Sequence, residues 1–332
     1  MPKENSSAPL VLKYMEKWRD LPTMTLAKKI YKEHPELFAT HNTVRGIIQY
    51  HRGSAGEINR KRIEGNKFKK PLTHDTTPFQ FPESRIQPQN EWRLPKSATR
   101  VLVLSDLHIP EHDEKAIRAA CRYGKEKNIN AIYINGDFLD MYTPSFHEKR
   151  HHRWSVNDEL EDGRTFLKWL RNEFKCPIYI IPGNHDQRLE RYLMVKAPEL
   201  LDCPEFKLDV LLKYGENGIT HIPFRSKAYF GKLLVEHGDK MAGSGGVNPA
   251  RTALLKFKRP VLVSHFHRTT SANQKVYDGH NLMAWSIGCL CTLEPGFMEV
   301  NEHNHGAAII DVNHADGNFR VENFQIINGK VY

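Results

Sequence analysis

Apolar side chains recur at helical spacing in three short stretches at the head of the chain. Leu10, Val11, Tyr14, Met15 and Trp18 fall at i, i+1, i+4, i+5 and i+8, which predicts one buried face of a helix over Leu10–Trp18. A second helix over Thr25–His34 opens on a capping threonine and turns Leu26, Ile30 and Tyr31 to one side. A third, starting near Asn42 and Thr43, turns Val44, Ile47 and Ile48 inward and leaves Arg45, Gln49, His51 and Arg52 on its outer face. The period then stops. Between Gly53 and Lys96, prolines 71, 78, 82, 88 and 95 punctuate a polar stretch with a basic start at Arg60-Lys61-Arg62 and at Lys67, Lys69 and Lys70. That composition reads as an extended linker, with Phe79, Phe81 and Trp92 as anchors onto the domain beyond it.

From Arg100 the texture changes to compact apolar runs, Val101–Leu104, Ala131–Ile134 and Ile178–Ile181, each the length of a buried strand. Helical stretches at Glu114–Lys127 and Asp158–Phe174 separate them, so this part reads as β-α-β-α-β with parallel strands. Further strands are expected at Tyr229–Glu236, Val261–Val263, Met283–Ile287, Ala307–Val312 and Phe319–Ile327, with less helix between them, which calls for a second sheet. The expected organisation is a helical module at 1–52, a Pro-rich basic linker at 53–96 and an α/β domain at 97–332.

Charge sharpens that division. Residues 1–95 hold 17 Lys and Arg against 10 Asp and Glu, whereas residues 96–332 hold 31 against 29, so most of the formal +9 is N-terminal. A basic segment joined to a nearly neutral one is an electrostatic handle for a polyanion, with nucleic acid the expected partner. Three short helices with a basic last one resemble a helix-turn-helix unit, whose third helix would set Arg45, Gln49 and Arg52 against DNA. The competing reading is a packing or oligomerisation module, or a basic segment that aids solubility. Five cysteines, an odd number without paired CxxC spacing, indicate neither a disulfide framework nor a structural zinc site and fit a reducing cytoplasm. No uncharged apolar run approaches the ~20 residues of a membrane span, and no signal peptide is expected at Met1–Leu10.

Chemistry concentrates in five short runs, each at the end of an expected strand: Asp106-Leu107-His108, Gly136-Asp137-Phe138-Leu139-Asp140, Gly183-Asn184-His185-Asp186, His237-Gly238-Asp239 and Ser264-His265-Phe266-His267. Strand ends are where open α/β sheets carry their functional loops. Mixed carboxylate, imidazole and amide oxygen donors suit Mn, Fe or Zn better than Mg or Ca. Together the runs resemble the calcineurin-like metallophosphoesterase superfamily, whose pattern DxH, GDxxD, GNH(D/E), a lone His with Gly, and GHxH they repeat in order. The resemblance spans about Arg100 to the C-terminus and implies a four-layer α/β/β/α sandwich with two divalent metal ions where its sheets meet. It implies Asp106, His108 and His267 on one metal, Asn184, His237 and His265 on the other, and Asp137 bridging. His185 would be the general acid and Asp140 the acceptor that fixes its tautomer. The implied reaction is phosphoester hydrolysis by a metal-bridged hydroxide, Mn2+ being the favoured ion.

Two departures from the pattern stand out. Ser264 replaces the usual glycine of the last run. Asp140-Met141-Tyr142 stands where phosphoprotein phosphatases continue with Arg-Gly, so a phosphate-binding arginine is missing there. The loop Glu148–Trp154, with Arg150 and Arg153, could bind substrate phosphates or stack a base on Trp154, and it reads equally well as a solvated loop. Gly243–Gly246 is a weak anion-binding signal, His112 and His147 read as surface side chains, and His303 and His305 as structural. The sequence thus supports a phosphodiesterase acting on DNA, a fusion that also resembles phage-encoded nucleases. The alternatives are a phosphomonoesterase or small-nucleotide phosphodiesterase with a docking module, and a catalytically silent binding protein.

Overall fold

In the computed structural model, which describes residues 7–70, 86, 89–146, 154–241, 247–294 and 301–332, the chain forms two units, Met1–Arg85 and Ile86–Tyr332. The first holds α1 (Ala8–Lys17), α2 (Thr23–Glu33), α3 (His41–Arg52) and α4 (Glu57–Arg62). Its apolar stripes meet much as their spacing predicts, burying Val11, Met15, Leu26, Ile30, Val44 and Ile48 in one core. Trp18 departs from the pattern: it is 38% exposed and lies under the ammonium groups of Lys17 and Lys29. Arg52 is a larger correction. It is only 4% exposed and donates to Thr23 Oγ1 (3.0 Å) and to Arg19 O (3.2 Å), so it ties the bundle together instead of standing on the outer face. Its long stem covers apolar surface while the guanidinium finds acceptors at the rim.

The expected linker also begins later than its composition indicates. Gly53 takes φ +75° as the left-handed cap of α3 and turns the chain back. Phe68 then closes the helical core, and Asn59 Nδ2 donates to Tyr50 O at 3.1 Å. Helix α4 is six residues long and the residue it buries is the polar Asn59, so it leaves no apolar period to detect. The connection from α2 to α3, residues 34–40, includes a 3-10 turn at Pro35–Leu37 and is longer than the three- to four-residue turn of a helix-turn-helix.

The second unit runs β1 (Glu91–Arg93), β2 (Arg100–Leu104), α5 (Glu114–Glu126), β3 (Ala131–Asn135), α6 (Val156–Glu173), β4 (Ile178–Ile181), α7 (Arg188–Lys196), α8 (Leu208–Leu211), β5 (Ile219–His221), β6 (Lys227–Phe230), β7 (Leu233–Glu236), α9 (Pro249–Phe257), β8 (Val261–Val263), β9 (Thr270–Lys275), β10 (Asn281–Ser286), β11 (His305–Val312), β12 (Phe319–Ile327) and β13 (Lys330–Val331). Two sheets form, ordered β1-β6-β7-β8-β10-β9 and β13-β12-β11-β2-β3-β4-β5.

Alternation along the strands dictates the layers. In the larger sheet Leu102, Leu104, Ile132, Ile134, Ile178 and Ile180 face α5 and α6, while their neighbours Val101, Val103, Ala131, Tyr133, Tyr179 and Ile181 face the other sheet. That sheet answers with Ala228, Phe230, Leu233, Val235 and Leu262, and turns Tyr229, Leu234, Val261 and Val263 outward onto α9. The result is the α/β/β/α sandwich. Because both faces of the central strands are covered, their sequences are continuous apolar runs.

Trp92 anchors β1 as expected: its ring lies 5.8 Å from Tyr133, 5.1 Å from Tyr179 and 6.2 Å from Phe230. The stretch Tyr229–Glu236, expected as one strand, is a hairpin of β6 and β7 turning at Gly231, where φ is +61° and a Cβ would come within 2.4 Å of Gly317 O. No helix among the described residues is long and apolar enough to cross a membrane.

Candidate metal centre

Each of the five runs starts at or within two residues of the end of β2, β3, β4, β7 or β8. These five strands come from both sheets, and β2, β3 and β4, like β7 and β8, run parallel, so the loops gather at one edge of the sandwich. The turns are tight. Asp106, His108, Asp137, His265 and His267 all have positive φ, a conformation costing roughly 1 kcal/mol or more per non-glycine residue. Gly136 and Gly183 let these turns interlock: a Cβ on Gly183 would meet Asp137 Oδ1 at 2.2 Å, and one on Gly136 would meet His237 Nδ1 at 2.4 Å.

The ligating atoms converge on Asp137. Its Oδ1 accepts the His185 backbone N–H at 2.8 Å, which leaves Oδ2 facing His237 Nε2 at 3.1 Å, His108 Nε2 at 3.8 Å and His265 Nδ1 at 4.0 Å. A single oxygen, Oδ2, is therefore the one that faces all three imidazoles. On the other side His267 Nε2 lies 3.3 Å from Asp106 Oδ1, and Asp106 Oδ2 is held by the His265 N–H at 3.1 Å.

Five of these atoms are buried without a hydrogen-bond partner: Asp106 Oδ1, His108 Nε2, Asn184 Oδ1, His237 Nε2 and His265 Nδ1. Orphaned buried polar atoms are rare, and three of these five belong to the acid–imidazole groups that could hold a metal ion, with a fourth on the Asp106 carboxylate facing His267. The clearest case is His237. Its Nδ1 lies 2.7 Å from Asn135 O and so carries the proton, which sets the Nε2 lone pair against the Asp137 carboxylate. Only a cation resolves that contact. Burial disfavours an imidazolium at His237, yet Asp137 and Asp106 raise its pKa to about 10, which shows how strongly this spot favours positive charge. Burial likewise opposes ionisation of Asp137, and the imidazoles of His237, His185 and His108 hold its carboxyl well below the usual range.

His185 stands beside these ligands. Its ring nitrogen comes near His108 and Asp137, but both of its nitrogens are engaged. Nδ1 faces Asp140 Oδ1 at 3.0 Å and Asp140 O at 3.1 Å, while Nε2 faces Arg188 Nη2 at 2.9 Å. A guanidinium has no lone pair to accept with, so Nε2 accepts and Nδ1–H donates to Asp140. Asp140 Oδ1 also receives His108 Nδ1 at 3.2 Å. Burial opposes its ionisation, and His108 and His185 hold its pKa far below the carboxylate range.

Three supporting residues are assigned no role by the sequence, although Asp186 and Ser264 lie within the motif runs. Asp186, fully enclosed, accepts the N–H groups of Phe138 (3.2 Å), Leu139 (2.9 Å) and Gly183 (2.8 Å), and burial together with Asp137 raises its pKa to about 6. Ser264 is more than a tolerated substitute for glycine: its Oγ lies 3.0 Å from Asn135 O and from His237 O, accepts Asn135 Nδ2 and sits 3.1 Å from His237 Nδ1. Glu159 of α6 accepts the N–H groups of Met141 and Tyr142 (2.5 and 2.9 Å) and of the Trp154 indole (3.0 Å), which fixes the chain just after Asp140. Trp154 is thereby turned to Glu159.

Burial, then Asp140, raises the Glu159 pKa from 4.5 to about 7. The folded chain therefore holds a proton that the unfolded chain has lost between these values, so this group's contribution to stability declines as pH rises from about 4.5 to about 7. Glu159→Gln places an amide nitrogen against N–H donors and is expected to cost about 1–2 kcal/mol. Denaturant melts across pH 4.5 to 7 should show the wild-type advantage narrowing as pH rises, and an advantage that widens would contradict this reading.

Outside the cluster, His303 packs its ring 4.6 Å from the His267 ring, with Nδ1 buried and unpaired, so it is nearer the centre than its sequence position indicates. Cys291 Sγ lies 3.8 Å from His267 Nδ1, and His305 Nε2 binds Cys291 O at 2.8 Å. Arg45, Gln49 and Arg52 belong to the helical unit. Arg150, Arg153, His147 and Gly243–Gly246 lie outside the described residues.

A fold with sheets back to back and a carboxylate–imidazole centre at one edge defines a class, and a direct comparison settles it. The chain belongs to the calcineurin-like phosphoesterase family, whose sequence profile matches residues 99–296, and it is a metal-dependent phosphoesterase. It is similar to the Gene 54 proteins of Mycobacterium phages D29 and L5, at 29% and 27% identity over 208 residues, covering 57% of this chain and 77% of each relative. Among solved structures it resembles Vps29 of Cryptosporidium parvum (TM-score 0.37, 14% identity, 71% of this chain and 96% of that one). It also resembles YfcE, a phosphoesterase from E. coli (TM-score 0.32, 10% identity, 67% and 98%).

Proposed function

We propose that this phosphoesterase hydrolyses phosphodiester bonds in DNA, with two Mn2+ ions as its preferred metals and the helical unit as its hold on the nucleic acid. The observation that carries the proposal is the division of charge: seven of the nine net positive charges lie before residue 96, while the domain with the metal centre is almost neutral. In the helical unit Asn42, Thr43 and Gly46 of α3 are exposed beside half-buried Arg45 and Gln49, and Lys61 and Arg62 of α4 are exposed. Such side chains can serve phosphates and base edges. The five cysteines are all unpaired, which supports a cytoplasmic setting.

Asp106, His108, His267 and Asp137 would hold one ion, and Asn184, His237, His265 and Asp137 the other. When bound, the ions supply an acidified water and neutralise charge on the phosphoryl oxygens. Around them, His237 is kept in the correct tautomer by Asn135 O, His185 is oriented by Asp140, and the backbone of the interlocked turns fixes the spacing. The leaving oxygen is served from the His185 side of the centre.

The test is hydrolysis, with Mn2+, of bis-p-nitrophenyl phosphate, p-nitrophenyl phosphate and linear single- and double-stranded DNA across a salt series. DNA cleavage should fall steeply as salt rises while turnover of the small diester barely changes, because only the polyanion releases counterions when it binds. Turnover of the model esters without DNA cleavage would replace the nuclease with a small-molecule phosphoesterase whose helical unit docks or oligomerises it. Metal binding without turnover of any of the four would favour a silent binding protein.

A further inference from the structure

The arginine missing after Asp140 has a counterpart elsewhere in the chain. Arg188 opens α7, four residues after Asn184, and its guanidinium folds back over the centre: Nη1 donates to Asp140 O at 2.7 Å and lies 3.6 Å from Asp140 Oδ1, and Nη2 reaches His185 Nε2 at 2.9 Å. The side chain is 17% exposed, so this charge is largely withdrawn from solvent. Burial pulls its pKa down, while Asp140, Asp137, Glu159 and Asp186 pull it back. A buried cation needs a reason to be there, and Asp140 alone is a weak one, since its carboxylate already serves His108 and His185. The guanidinium has five N–H donors and places few of them among the described residues.

The contact to His185 is informative. An imidazole nitrogen is a single neutral acceptor, whereas two oxygens of a phosphoryl group match the guanidinium fork and carry charge. Because Arg188 Nη2 lies 2.9 Å from His185 Nε2, any group that reaches that ring atom comes within reach of the guanidinium. We propose that Arg188 is the phosphate-binding residue of this enzyme, exchanging His185 Nε2 for a non-bridging oxygen of the substrate phosphoryl group. The class of ligand is a tetrahedral phosphoryl anion: the scissile group of the ester, a phosphomonoester product or inorganic phosphate. The inference rests on phosphoesterase chemistry and not on DNA being the substrate.

Inorganic phosphate is the probe, used with the metal-loaded full chain both as an inhibitor of bis-p-nitrophenyl phosphate hydrolysis and as a ligand in calorimetry, with bound metal quantified in every variant. Arg188→Ala is expected to weaken phosphate by about tenfold or more, and Arg188→Lys by less, since a lysine keeps the charge and loses the fork. Placed in a His185→Ala background, Arg188→Ala should weaken phosphate by a similar factor. Unchanged phosphate affinity in Arg188→Ala overturns the proposal. So does a loss that disappears in the His185→Ala background, because Arg188 would then act only by orienting the imidazole. If Arg188→Ala does not retain its metals, Arg188→Lys decides: weaker phosphate binding supports the exchange and unaltered binding refutes it. Should the wild type leave the diester intact, calorimetry still reads Arg188, and the substrate assignment fails separately.

Discussion

Asp137→Asn is expected to abolish hydrolysis, by about a thousandfold or more, and to leave a folded protein that retains little metal. The reason lies in how Asp137 is held. Its Oδ1 accepts the His185 N–H at 2.8 Å, so an asparagine must offer its own oxygen there and send its NH2 to the place of Oδ2. That NH2 would face the lone pair of His237 Nε2, now 3.1 Å from a carboxylate oxygen. A hydrogen bond would then satisfy what a cation satisfies in the wild type. The substitution removes the proposed shared ligand and also relieves the lone-pair repulsion between His237 Nε2 and the carboxylate. Metal content of the purified variant and its hydrolysis of bis-p-nitrophenyl phosphate are the checks, with circular dichroism to confirm the fold. Full occupancy by two ions would show that Asp137 is not the bridge.

Asp186→Ala should produce the largest loss of stability, about 3 kcal/mol or more, because three buried N–H groups lose their acceptor at once. Two of these N–H groups belong to the Gly136–Asp140 turn and one to Gly183, so the carboxylate clasps two metal-binding loops together. Activity should fall as well, even at temperatures where the variant is folded, since the spacing between Asp137 and Asn184 depends on that clasp. Denaturant unfolding together with metal affinity tests it. A variant within 1 kcal/mol of wild type with unchanged metal binding would mean that water replaces the carboxylate at all three positions.

Much of this architecture is legible in the sequence, for physical reasons that can be named. Val101–Leu104, Ala131–Ile134 and Ile178–Ile181 announce themselves because strands covered on both faces must be continuously apolar. The seven proposed ligands are conspicuous because acids, imidazoles and an amide placed just after such runs have no packing role. Other features leave no such trace. Strand β9, Thr270–Lys275, is mostly exposed and polar, and it is a strand only because β10 pairs with it over its whole length. The split of Tyr229–Glu236 into β6 and β7 depends on a turn at Gly231-Lys232 packed against Gly317, about 85 residues away. Arg52 and Arg188 misled or escaped for the same reason. Spacing assigns a side chain to a helix face, but a long guanidinium stem can cross to another, and its destination is set by acceptors on distant segments.

The sheet orders have a consequence for behaviour at high concentration. The outer strands make poor templates: β1 and β5 have three residues each, β9 presents Ser271, Asn273, Gln274 and Lys275 to solvent, and β12, which the two-residue β13 pairs only at Ile326 and Ile327, carries Arg320 and Glu322 along the rest of its length. A backbone edge so brief or so polar gives another chain little to zip onto, which is how natural sheets escape ribbon-like association. Edges of this kind are expected to disfavour ribbon-like association at high concentration, and that protection does not depend on the loops that follow β2, β3, β4, β7 and β8.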